Sequence, residues 1–418
     1  MKKIIITCFL AGCLEMYDFT IFGFLANTLK QHYLNFLPEK SSSIVIYLLF
    51  AVGFIFRPLG SCIFGYIGDK FGRKKALIIS IFLMSVSCLG MVILPPYSSA
   101  GIISCYILVL LRILQGISVG GEYGGCIIFA IEHSKKEHRG LIGSIVTSGF
   151  MCGILLAVLI SNLLTIKSLP EYSWRFAFLL GFMLALVGFF IRNQLQETPL
   201  YQKMQSNVDK EHFWKTIKHL WLKCFAAIFI VATSGVNFYF TSIYLPNFLE
   251  KLTKINYSWL SFLATFIMAI LIPFFGFISD KVGRTKLMSL AALALVFYTS
   301  NLSLIMSLSN NCIVILSIIH VIIIAVFTGP MNSFIIEIFP IKVRYTCSAF
   351  CFSIGITLGG ITPMIAVIMN QYQYSNWYLS LYIATLSLLG LYGLKLAALL
   401  DKPNKYLKVN NTIKKINY

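Results

Sequence analysis

The stretch Gly65-Tyr66-Ile67-Gly68-Asp69-Lys70-Phe71-Gly72-Arg73-Lys74-Lys75 decides how this chain is built, because a near copy of it occurs later. The copy reads Gly276-Phe277-Ile278-Ser279-Asp280-Lys281-Val282-Gly283-Arg284-Thr285-Lys286. Each has Gly, three residues and then Asp-Lys-x-Gly-Arg, and each lies between long apolar runs. A repeat about half a chain apart predicts two similar halves. A tight charged turn between membrane spans is typical of transporters built from repeats.

The composition places the chain in a membrane. Of its 418 residues, 58% are hydrophobic and only 12% are charged, whereas a soluble domain carries about 25% charged residues. The mean hydropathy is +0.82. These values exclude a soluble enzyme with a single anchor.

Apolar stretches long enough to cross a bilayer, about 20 residues each, recur along the whole chain. We therefore predict an all-α membrane protein whose twelve transmembrane helices form two six-helix bundles related by a pseudo-two-fold axis. The predicted spans 1 to 12 are 4–29, 44–68, 75–97, 103–130, 142–166, 175–193, 218–249, 256–279, 286–308, 312–338, 345–371 and 375–400. The predicted units are an N-terminal bundle 1–193, a cytoplasmic linker 194–217, a C-terminal bundle 218–400 and a cytoplasmic tail 401–418.

The basic residues predict the orientation. With both termini inside, 25 of the 34 Lys and Arg residues fall in inner loops and tails, as the positive-inside rule requires. The net charge of +19 therefore reflects topology and favours contact with anionic lipids. Because the basic residues are scattered over short loops, nucleic acid is not an expected partner. The prediction is a multi-pass protein of the inner membrane, with both termini cytoplasmic.

Charged residues inside three predicted spans need an explanation, since a charge at the bilayer centre costs about 2.5–3.5 kcal/mol on insertion scales. Glu15 and Asp18 are one helical turn apart and share a face of span 1. Arg57 lies near the middle of span 2. In span 4, Arg112 shares an arc with Gln115, Val119 and Glu122. Spans 1, 2 and 4 can thus bring carboxylates and guanidiniums to one level of the membrane.

A desolvated carboxyl group favours its protonated form and can bind and release a proton. Asp18 and Glu15 are the better candidates for proton coupling, and Glu122 is a third. An arginine can hold a substrate carboxylate by a forked pair of hydrogen bonds. Arg112 is the better candidate for that role. Arg57 either shares it or neutralises span 1, and Gln115 is a neighbouring polar candidate. The alternative is a set of salt bridges that only fixes helix packing.

The second half offers polar and aromatic candidates instead of charges at mid-membrane. Tyr239 and Tyr244 of span 7 are candidates for binding a quaternary ammonium group by cation–π contact. His320 is more often a satisfied buried group than a proton carrier. The other polar candidates in the spans are Asn237, Asn332, Ser353 and Thr357.

Several motifs along the chain point to one family. They are Glu15-Met16-Tyr17-Asp18-Phe19, Arg57-Pro58-Leu59-Gly60, Arg112-Ile113-Leu114-Gln115-Gly116, Gly120-Gly121-Glu122-Tyr123-Gly124-Gly125, Trp174-Arg175-Phe176, Glu197-Thr198-Pro199, Tyr244-Leu245-Pro246, Glu337-Ile338-Phe339-Pro340 and Val343-Arg344-Tyr345. With the paired loops, the chain resembles the major facilitator superfamily. Within it, the motifs resemble the metabolite–proton symporter branch, which includes proline/betaine, α-ketoglutarate, citrate and shikimate carriers.

The repeated loops are expected to form the gate. Asp69 and Asp280 lie at inner helix ends beside Arg73 and Arg284, where an Asp can cap a neighbouring helix or pair with Arg. The resemblance implies that these four residues latch the outward-open state. The glycines of span 4 repeat at every fourth residue, as Gly116, Gly120 and Gly124, and predict close approach of another helix.

The function predicted from these features is proton-coupled symport of a small zwitterionic osmolyte or organic acid, similar to proline or betaine, into the cell by alternating access. A di- or tricarboxylate or shikimate carrier is the alternative. A drug/proton antiporter is less well supported, because span 5 lacks the Gly-Pro motif usual in such carriers. A sensor that no longer transports is also less well supported, because no signalling domain is appended. No phosphate-binding loop, metal cluster or catalytic constellation is evident, so neither enzyme activity nor a cofactor or metal is expected. The expected partners are the solute, a proton and lipids, and a monomer is expected.

Overall fold

A computed structural model describes residues 2–164, 169–193, 196–205, 219–253, 255, 257–371 and 376–400. The predicted tail 401–418 and most of the predicted linker lie outside the described residues. Every regular element in the described part is helical. Helices are expected for long apolar runs in lipid, because a helix satisfies all its backbone hydrogen bonds within one segment.

The first half contains six spans. Span 1 is Lys2–Phe24, and span 2 is two helices, Glu39–Ile55 and Arg57–Phe71. Spans 3 to 6 are Arg73–Ile93, Ile102–Glu132, Arg139–Leu164 and Arg175–Asn193. Shorter helices are Ala26–Tyr33, Tyr97–Ala100, the 3-10 turn Lys136–His138 and the linker helix Pro199–Gln205.

The second half repeats this order. Span 7 comprises Trp221–Tyr239, a π-turn Phe240–Tyr244 and Leu245–Thr253, and span 8 is Ser258–Val282. Span 9 is Arg284–Ser300, followed by the short helix Leu302–Ile305, and span 10 is Asn310–Glu337. Span 11 is Arg344–Gly360, preceded by the 3-10 turn Ile341–Val343 and continued by Thr362–Gln371, and span 12 is Asn376–Leu400.

The described residues therefore form twelve spans, but these are not equally long. Within the described residues, eleven helical stretches are long and apolar enough to cross a membrane. Span 9 is the exception, because its main helix has only 17 residues, at the lower limit of about 17–25 for a crossing helix.

The spans pack as two bundles. In the first bundle, span 1 packs on span 5, span 2 packs on span 4, and span 3 packs on spans 4 and 6. In the second bundle, the equivalent spans make the same contacts: span 7 packs on span 11, span 8 on span 10, and span 9 on spans 10 and 12. Span 8 also packs along span 5, and span 11 along span 2. These two cross-contacts are equivalent under exchange of the halves, which is the pseudo-two-fold relation predicted from the repeat.

The glycine stripe of span 4 explains how span 2 comes so close. A Cβ on Gly116 would lie 2.4 Å from the carbonyl oxygen of Gly53, and one on Gly120 would lie 2.1 Å from that of Arg57. No other residue type leaves room for backbone at those positions. The stripe therefore places Arg57 directly against span 4.

Two prolines account for the irregular helices. Pro58 lacks an N–H, so span 2 breaks at Phe56 and restarts at Arg57, as expected from the missing donor. The carbonyl of Phe54, which a residue at position 58 would normally bond, accepts instead from Thr357 Oγ1 of span 11 at 3.1 Å. Likewise, the π-turn of span 7 directly precedes Leu245-Pro246.

Candidate transport site and gates

A small cavity lies between the two halves, with an empty volume of about 190 Å³. The cavity is lined by Arg57, Val119, Gly120, Tyr123, Gly124, Ala349, Phe352, Ser353 and Ile356. Spans 2 and 4 form one wall, and span 11 forms the other. A site at the interface of the repeats is where a transporter of this architecture binds its substrate.

Arg57 is the cation of this cavity. Its side chain is buried, its Nε has no hydrogen-bond partner, and no ion pair joins it to a carboxylate of the described residues. The guanidinium instead lies over the rings of Phe19 and Phe54, with its carbon 4.0 and 4.5 Å from their centroids. A buried cation that lacks an anion is placed to bind one.

Arg112 lies elsewhere and is well satisfied. Its Nη1 donates to Gln115 Oε1 at 2.7 Å, and its Nε and Nη2 donate to the carbonyls of Leu49 and Phe50 at 3.3 and 3.2 Å. It is fully buried and does not line the cavity. The structure thus brings Arg112 and Gln115 together as predicted, but it places them among spans 2 and 4 rather than against a solute.

Glu15 and Asp18 are both buried near the charges of the first half, and they face different neighbours. Neither carboxylate oxygen of Glu15 has a hydrogen-bond partner in the described part of the chain. Asp18 contacts the thiol of Cys88, and its Oδ1 packs where a Cβ on Gly181 of span 6 would clash. Asp18 therefore points towards spans 3 and 6, away from the cavity.

Glu122 is paired with a residue that the sequence reasoning missed. It forms a buried ion pair with Arg192 at the end of span 6, and its other oxygen lies 3.5 Å from Ser80 Oγ. Arg192 was counted among the inner-loop cations, because it stands two residues before the polar linker. The only signal for its role was the apolar run that ends at Ile191, directly before Arg192. Of the predicted arc of span 4, Arg112, Gln115 and Glu122 do not line the cavity, whereas Val119 does, together with Gly120, Tyr123 and Gly124.

The two tyrosine candidates of span 7 are separated by the π-turn. Tyr239 lies near the cavity, with its ring 6.0 Å from that of Phe54. Tyr244 packs instead against Phe240 and Phe248 in an apolar cluster of the second half. Of the two, only Tyr239 is close to Arg57. Tyr123, which was not singled out, lines the cavity with its ring 5.5 Å from that of Phe352.

His320 belongs to a polar network in the second half. Its ring nitrogens contact Thr241 Oγ1 at 2.8 Å and Asn237 Oδ1 at 2.9 Å, and its ring stacks on Tyr298. Asn237 in turn donates to Ser387 at 3.1 Å. Both nitrogens of His320 thus have partners, and the residue does not line the cavity.

The two repeated loops lie at one end of the bundle, here called the motif side. In the first loop, Asp69 caps span 11 of the other half: its oxygens accept from the N–H of Tyr345 at 3.1 Å and of Thr346 at 2.8 Å. Arg73 lies 3.0 Å from Asp69 and 3.4 Å from Glu132, and Glu132 is also 3.4 Å from Arg344. We call Asp69, Arg73, Glu132 and Arg344 the first gate cluster.

The second loop repeats this arrangement with the halves exchanged. Asp280 caps span 5 by accepting from the N–H of Gly140 at 2.8 Å and of Leu141 at 2.9 Å. Arg284 pairs with Asp280 at 3.2 Å and with Glu337, which also lies 3.4 Å from Arg139. We call Asp280, Arg284, Glu337 and Arg139 the second gate cluster. The two clusters close the motif side below the cavity.

The start of the linker covers the first gate cluster. Glu197 Oε2 accepts from the N–H of Lys74 at 3.1 Å and caps span 3. Thr198 Oγ1 donates to Glu132 at 2.7 Å, and Tyr201 Oη donates to the carbonyl of Lys70 at 2.9 Å. We call residues 197–201 the strap. The motif Glu197-Thr198-Pro199 was noted as a family feature, but its contact with the gate was not predicted.

The fold and site together define a membrane transporter of two repeated bundles, with a cavity between them and two ion-paired clusters on one side. The family model described as Major Facilitator Superfamily matches residues 8–350. The chain belongs to the major facilitator superfamily, and it is accordingly a multi-pass transporter rather than an enzyme.

Named relatives are similar over almost the whole chain. The glycine betaine/proline/ectoine/pipecolic acid transporter OusA of Dickeya dadantii (strain 3937) is 30% identical over 428 residues, covering 97% of this chain and 85% of the relative. The proline/betaine transporter of Escherichia coli (strain K12) is 30% identical over 415 residues, covering 94% and 82%. The prediction that this chain resembles proline/betaine transporters is confirmed.

A solved structure supports the fold. The proton:xylose symporter XylE bound to 6-bromo-6-deoxy-D-glucose superposes with a TM-score of 0.77 at 18% identity, covering 93% of this chain and 94% of that one. The predicted major facilitator fold is therefore confirmed.

Proposed function

We propose that this protein is a symporter that carries a small zwitterionic osmolyte, such as proline or betaine, into the cell together with a proton. The observation that carries the proposal is Arg57, a buried cation without a described anion, in a small aromatic cavity between the two halves. The transporters of proline and betaine among the relatives support the same substrate class.

The cavity suits a zwitterion in charge. Arg57 is the only cation among the described residues that line it, which provides for one carboxylate and not for two or three. Tyr123 and Phe352 offer ring faces on the same cavity, and such faces attract quaternary ammonium groups. A di- or tricarboxylate would leave an anion without a partner.

Proton coupling follows if Glu15 and the substrate compete for Arg57. The two side chains lie close enough for their charges to interact. When a substrate carboxylate occupies Arg57, Glu15 has no cation of its own and stays protonated. After the substrate leaves, Arg57 stabilises ionised Glu15 and the proton is released. Binding of either partner thus favours the other, because each prevents the Arg57–Glu15 pair from forming.

Alternating access would then open and close the motif side. We place this side in the cytoplasm, because most Lys and Arg residues lie there; both termini are then cytoplasmic, and the membrane is the inner membrane. The gate clusters would hold that side closed while the cavity loads from outside. Separation of the first bundle, residues 1–193, from the second, residues 218–400, would open it. We expect a monomer in contact with lipid and without nucleic acid.

The substrate test is uptake of labelled L-proline and glycine betaine into proteoliposomes, with α-ketoglutarate, citrate and shikimate as competitors. Proline or betaine uptake that increases with an inward proton gradient is the expected result. Arg57→Lys should raise the half-saturation concentration, because lysine lacks the planar fork. Arg112→Lys is the matched control, since Arg112 remains the alternative carboxylate ligand. A rise confined to Arg112→Lys would exchange these roles, and uptake of citrate or α-ketoglutarate alone would refute the substrate class.

The coupling test compares Glu15→Gln with Asp18→Asn. Glu15→Gln should abolish accumulation driven by the proton gradient while leaving exchange of labelled for unlabelled proline measurable. Asp18→Asn should retain accumulation, because Asp18 faces spans 3 and 6 and not the cavity. Accumulation in Glu15→Gln equal to that of the parent would remove Glu15 from the proton pathway.

A further inference from the structure

Arg192 contacts Glu122, one of the buried acidic residues of the first half, and it belongs to none of the sequence motifs given above. Its side chain is 3% exposed, forms an ion pair with Glu122 and donates to the carbonyl of Leu77 at 3.1 Å. It also lies 3.8 Å from the thiol of Cys126. Glu122 thus has a permanent counter-ion, since arginine does not lose its proton in proteins.

Glu15 lies beside the Arg192–Glu122 pair, but unlike Glu122 it forms no ion pair within the described residues. One carboxylate oxygen each of Glu15 and Glu122 and the Cys126 sulfur all lie within 4.8 Å of one another. Glu15 is 2% exposed, and neither of its oxygens has a hydrogen-bond partner. Two carboxylates this close cannot both be ionised at low cost. The one that lacks a cation is the one that takes the proton.

The remaining groups around Glu15 do not change this assignment. The charged and titratable groups that interact with it are Glu122, Tyr123 and Cys126 of span 4, Arg57 of span 2, Arg192 of span 6 and Asp18 of its own helix. Span 5, which packs along span 1, presents no charged side chain to it among the described residues. Arg192 is paired with Glu122, while Arg57 is assigned to the substrate.

We propose that Arg192 is a positioning residue of the proton site: by keeping Glu122 ionised, it confines the transported proton to Glu15. This inference rests on the proposed proton symport and adds to it a residue and a site of protonation. It also explains why two buried acids side by side need not compete for one proton.

The same geometry disfavours a metal ion as the coupling cation. Glu15, Glu122 and Cys126 resemble a ligand set by distance alone. A metal ion there would lie next to the Arg192 guanidinium and would lose much of its attraction to Glu122 through repulsion between like charges. A proton avoids this cost, because it binds to a single carboxyl group and leaves no separate cation in the site.

Infrared spectroscopy on purified, substrate-free protein tests the site of protonation when the sample is acidified until the site takes up its proton, because without substrate Arg57 otherwise stabilises ionised Glu15. A protonated carboxyl group has its own carbonyl stretching band. We expect a Glu15 band in the parent that Glu15→Gln removes, while the band of Asp18, a buried acid that also lacks a cation, stays in both. In Arg192→Gln, Glu122 loses its cation and should add a further band. That band should be absent from the double variant Glu122→Gln/Arg192→Gln, and Arg192→Lys should keep the parent spectrum.

Transport gives an independent test in the same proteoliposomes, with labelled L-proline. The double variant should retain accumulation driven by the proton gradient, because neither member of the pair carries the proton. Arg192→Gln should lose it and shift its pH profile, because Glu122 then competes for the proton. If Arg192→Gln does not fold, Arg192→Lys and the double variant still decide the question.

Two results would overturn the inference. One is loss of the band assigned to Glu15 in Glu122→Gln, with Glu15→Gln unchanged, which would place the proton on Glu122. The other is loss of accumulation in the double variant with exchange intact. Failure of the parent to move proline or betaine would refute the proposed substrate instead, and the infrared result would still stand.

Discussion

The two gate clusters have the same pattern of helix caps and ion pairs, but they differ in how deeply their residues are buried. In both, an Asp caps a helix of the opposite half, and an Arg one turn later pairs with that Asp and with a Glu. In the first cluster the Glu132 side chain is fully buried, whereas its counterpart Glu337 is 29% exposed. The two halves thus share the same ion pairs but bury them to different extents. Burial matters because the energetic effect of breaking an ion pair depends strongly on its exposure to solvent.

The strap accounts for much of this difference. Glu197, Thr198 and Tyr201 lie over the first loop, and a Cβ on Gly72 would come within 2.3 Å of Glu197 Oε2. At the equivalent Gly283, a Cβ would meet nothing within 4 Å among the described residues. We infer that the first cluster is the stronger of the two locks, and that opening the gate requires the linker to move away from it.

The largest difference in stability between matched variants of the two clusters is expected between Glu132→Gln and Glu337→Gln. Glu132→Gln leaves Arg73 and Arg344 buried with a neutral partner, and breaking a buried ion pair costs about 3–5 kcal/mol. Glu337 is partly solvated, where pairs contribute about 0–1 kcal/mol. Thermal unfolding of the purified variants should show a large loss of stability for the first and little for the second. Equal losses of stability in the two variants would mean that burial does not change how much each ion pair contributes.

A smaller difference, in the maximal rate of proline transport, is expected between Asp69→Asn and Asp280→Asn. Hydrogen bonds to a charged group contribute about 1.5–3 kcal/mol each. Asp69 accepts three from the helix that it caps, one of them from Thr346 Oγ1, whereas Asp280 accepts two from its capped helix. Asp69→Asn should therefore slow maximal proline transport more than Asp280→Asn, while equilibrium binding stays within a few-fold of the parent. A large loss of affinity with normal turnover in Asp69→Asn would move this residue from the gate to the binding pathway.

The glycines of the two loops provide a matched pair. Gly72 and Gly283 both have positive φ angles, 115° and 101°, with extended ψ angles, so alanine is strained at either site by about 1–3 kcal/mol. Gly72→Ala should lose more stability than Gly283→Ala, because it must also displace Glu197. The excess should disappear when Glu197 is changed to Ala in both backgrounds. An excess that persists would show that the strap is not its cause.

The smallest effect is expected for the strap hydroxyl. Thr198→Val removes one hydrogen bond to Glu132, and Thr198→Ser retains the hydroxyl and serves as the control. The loss of stability should be only about 0.5–1.5 kcal/mol, because Glu132 keeps Arg73 and Arg344 as partners, and proline transport should change modestly. If Thr198→Ser behaves like Thr198→Val, the missing methyl packing rather than the hydrogen bond explains the effect.

The sequence alone was sufficient for the architecture and for the inventory of buried charges. Long apolar runs can satisfy their backbone in lipid only as helices, so the spans could be counted, and the repeated loop marked the two halves. Asp69 and Asp280 could be placed at helix ends because a charged turn after a span must lie near one, whereas the choice between capping a helix and pairing with Arg stayed open. Glu15, Arg57 and Arg112 stood out because charges in apolar runs are costly.

The partners of those charges were decided only by the tertiary structure. Which face of span 4 meets the cavity depends on how the helix is rotated, and the glycine stripe packed against span 2 sets that rotation. As a result, Arg112 is enclosed by carbonyl groups while Arg57 lines the cavity. Arg192 illustrates the same limit: it stands next to a polar linker in the sequence, yet the close packing of spans 3, 4 and 6 buries it against Glu122. Local sequence determines what a helix carries, whereas side-chain pairing across helices depends on distances that only packing defines.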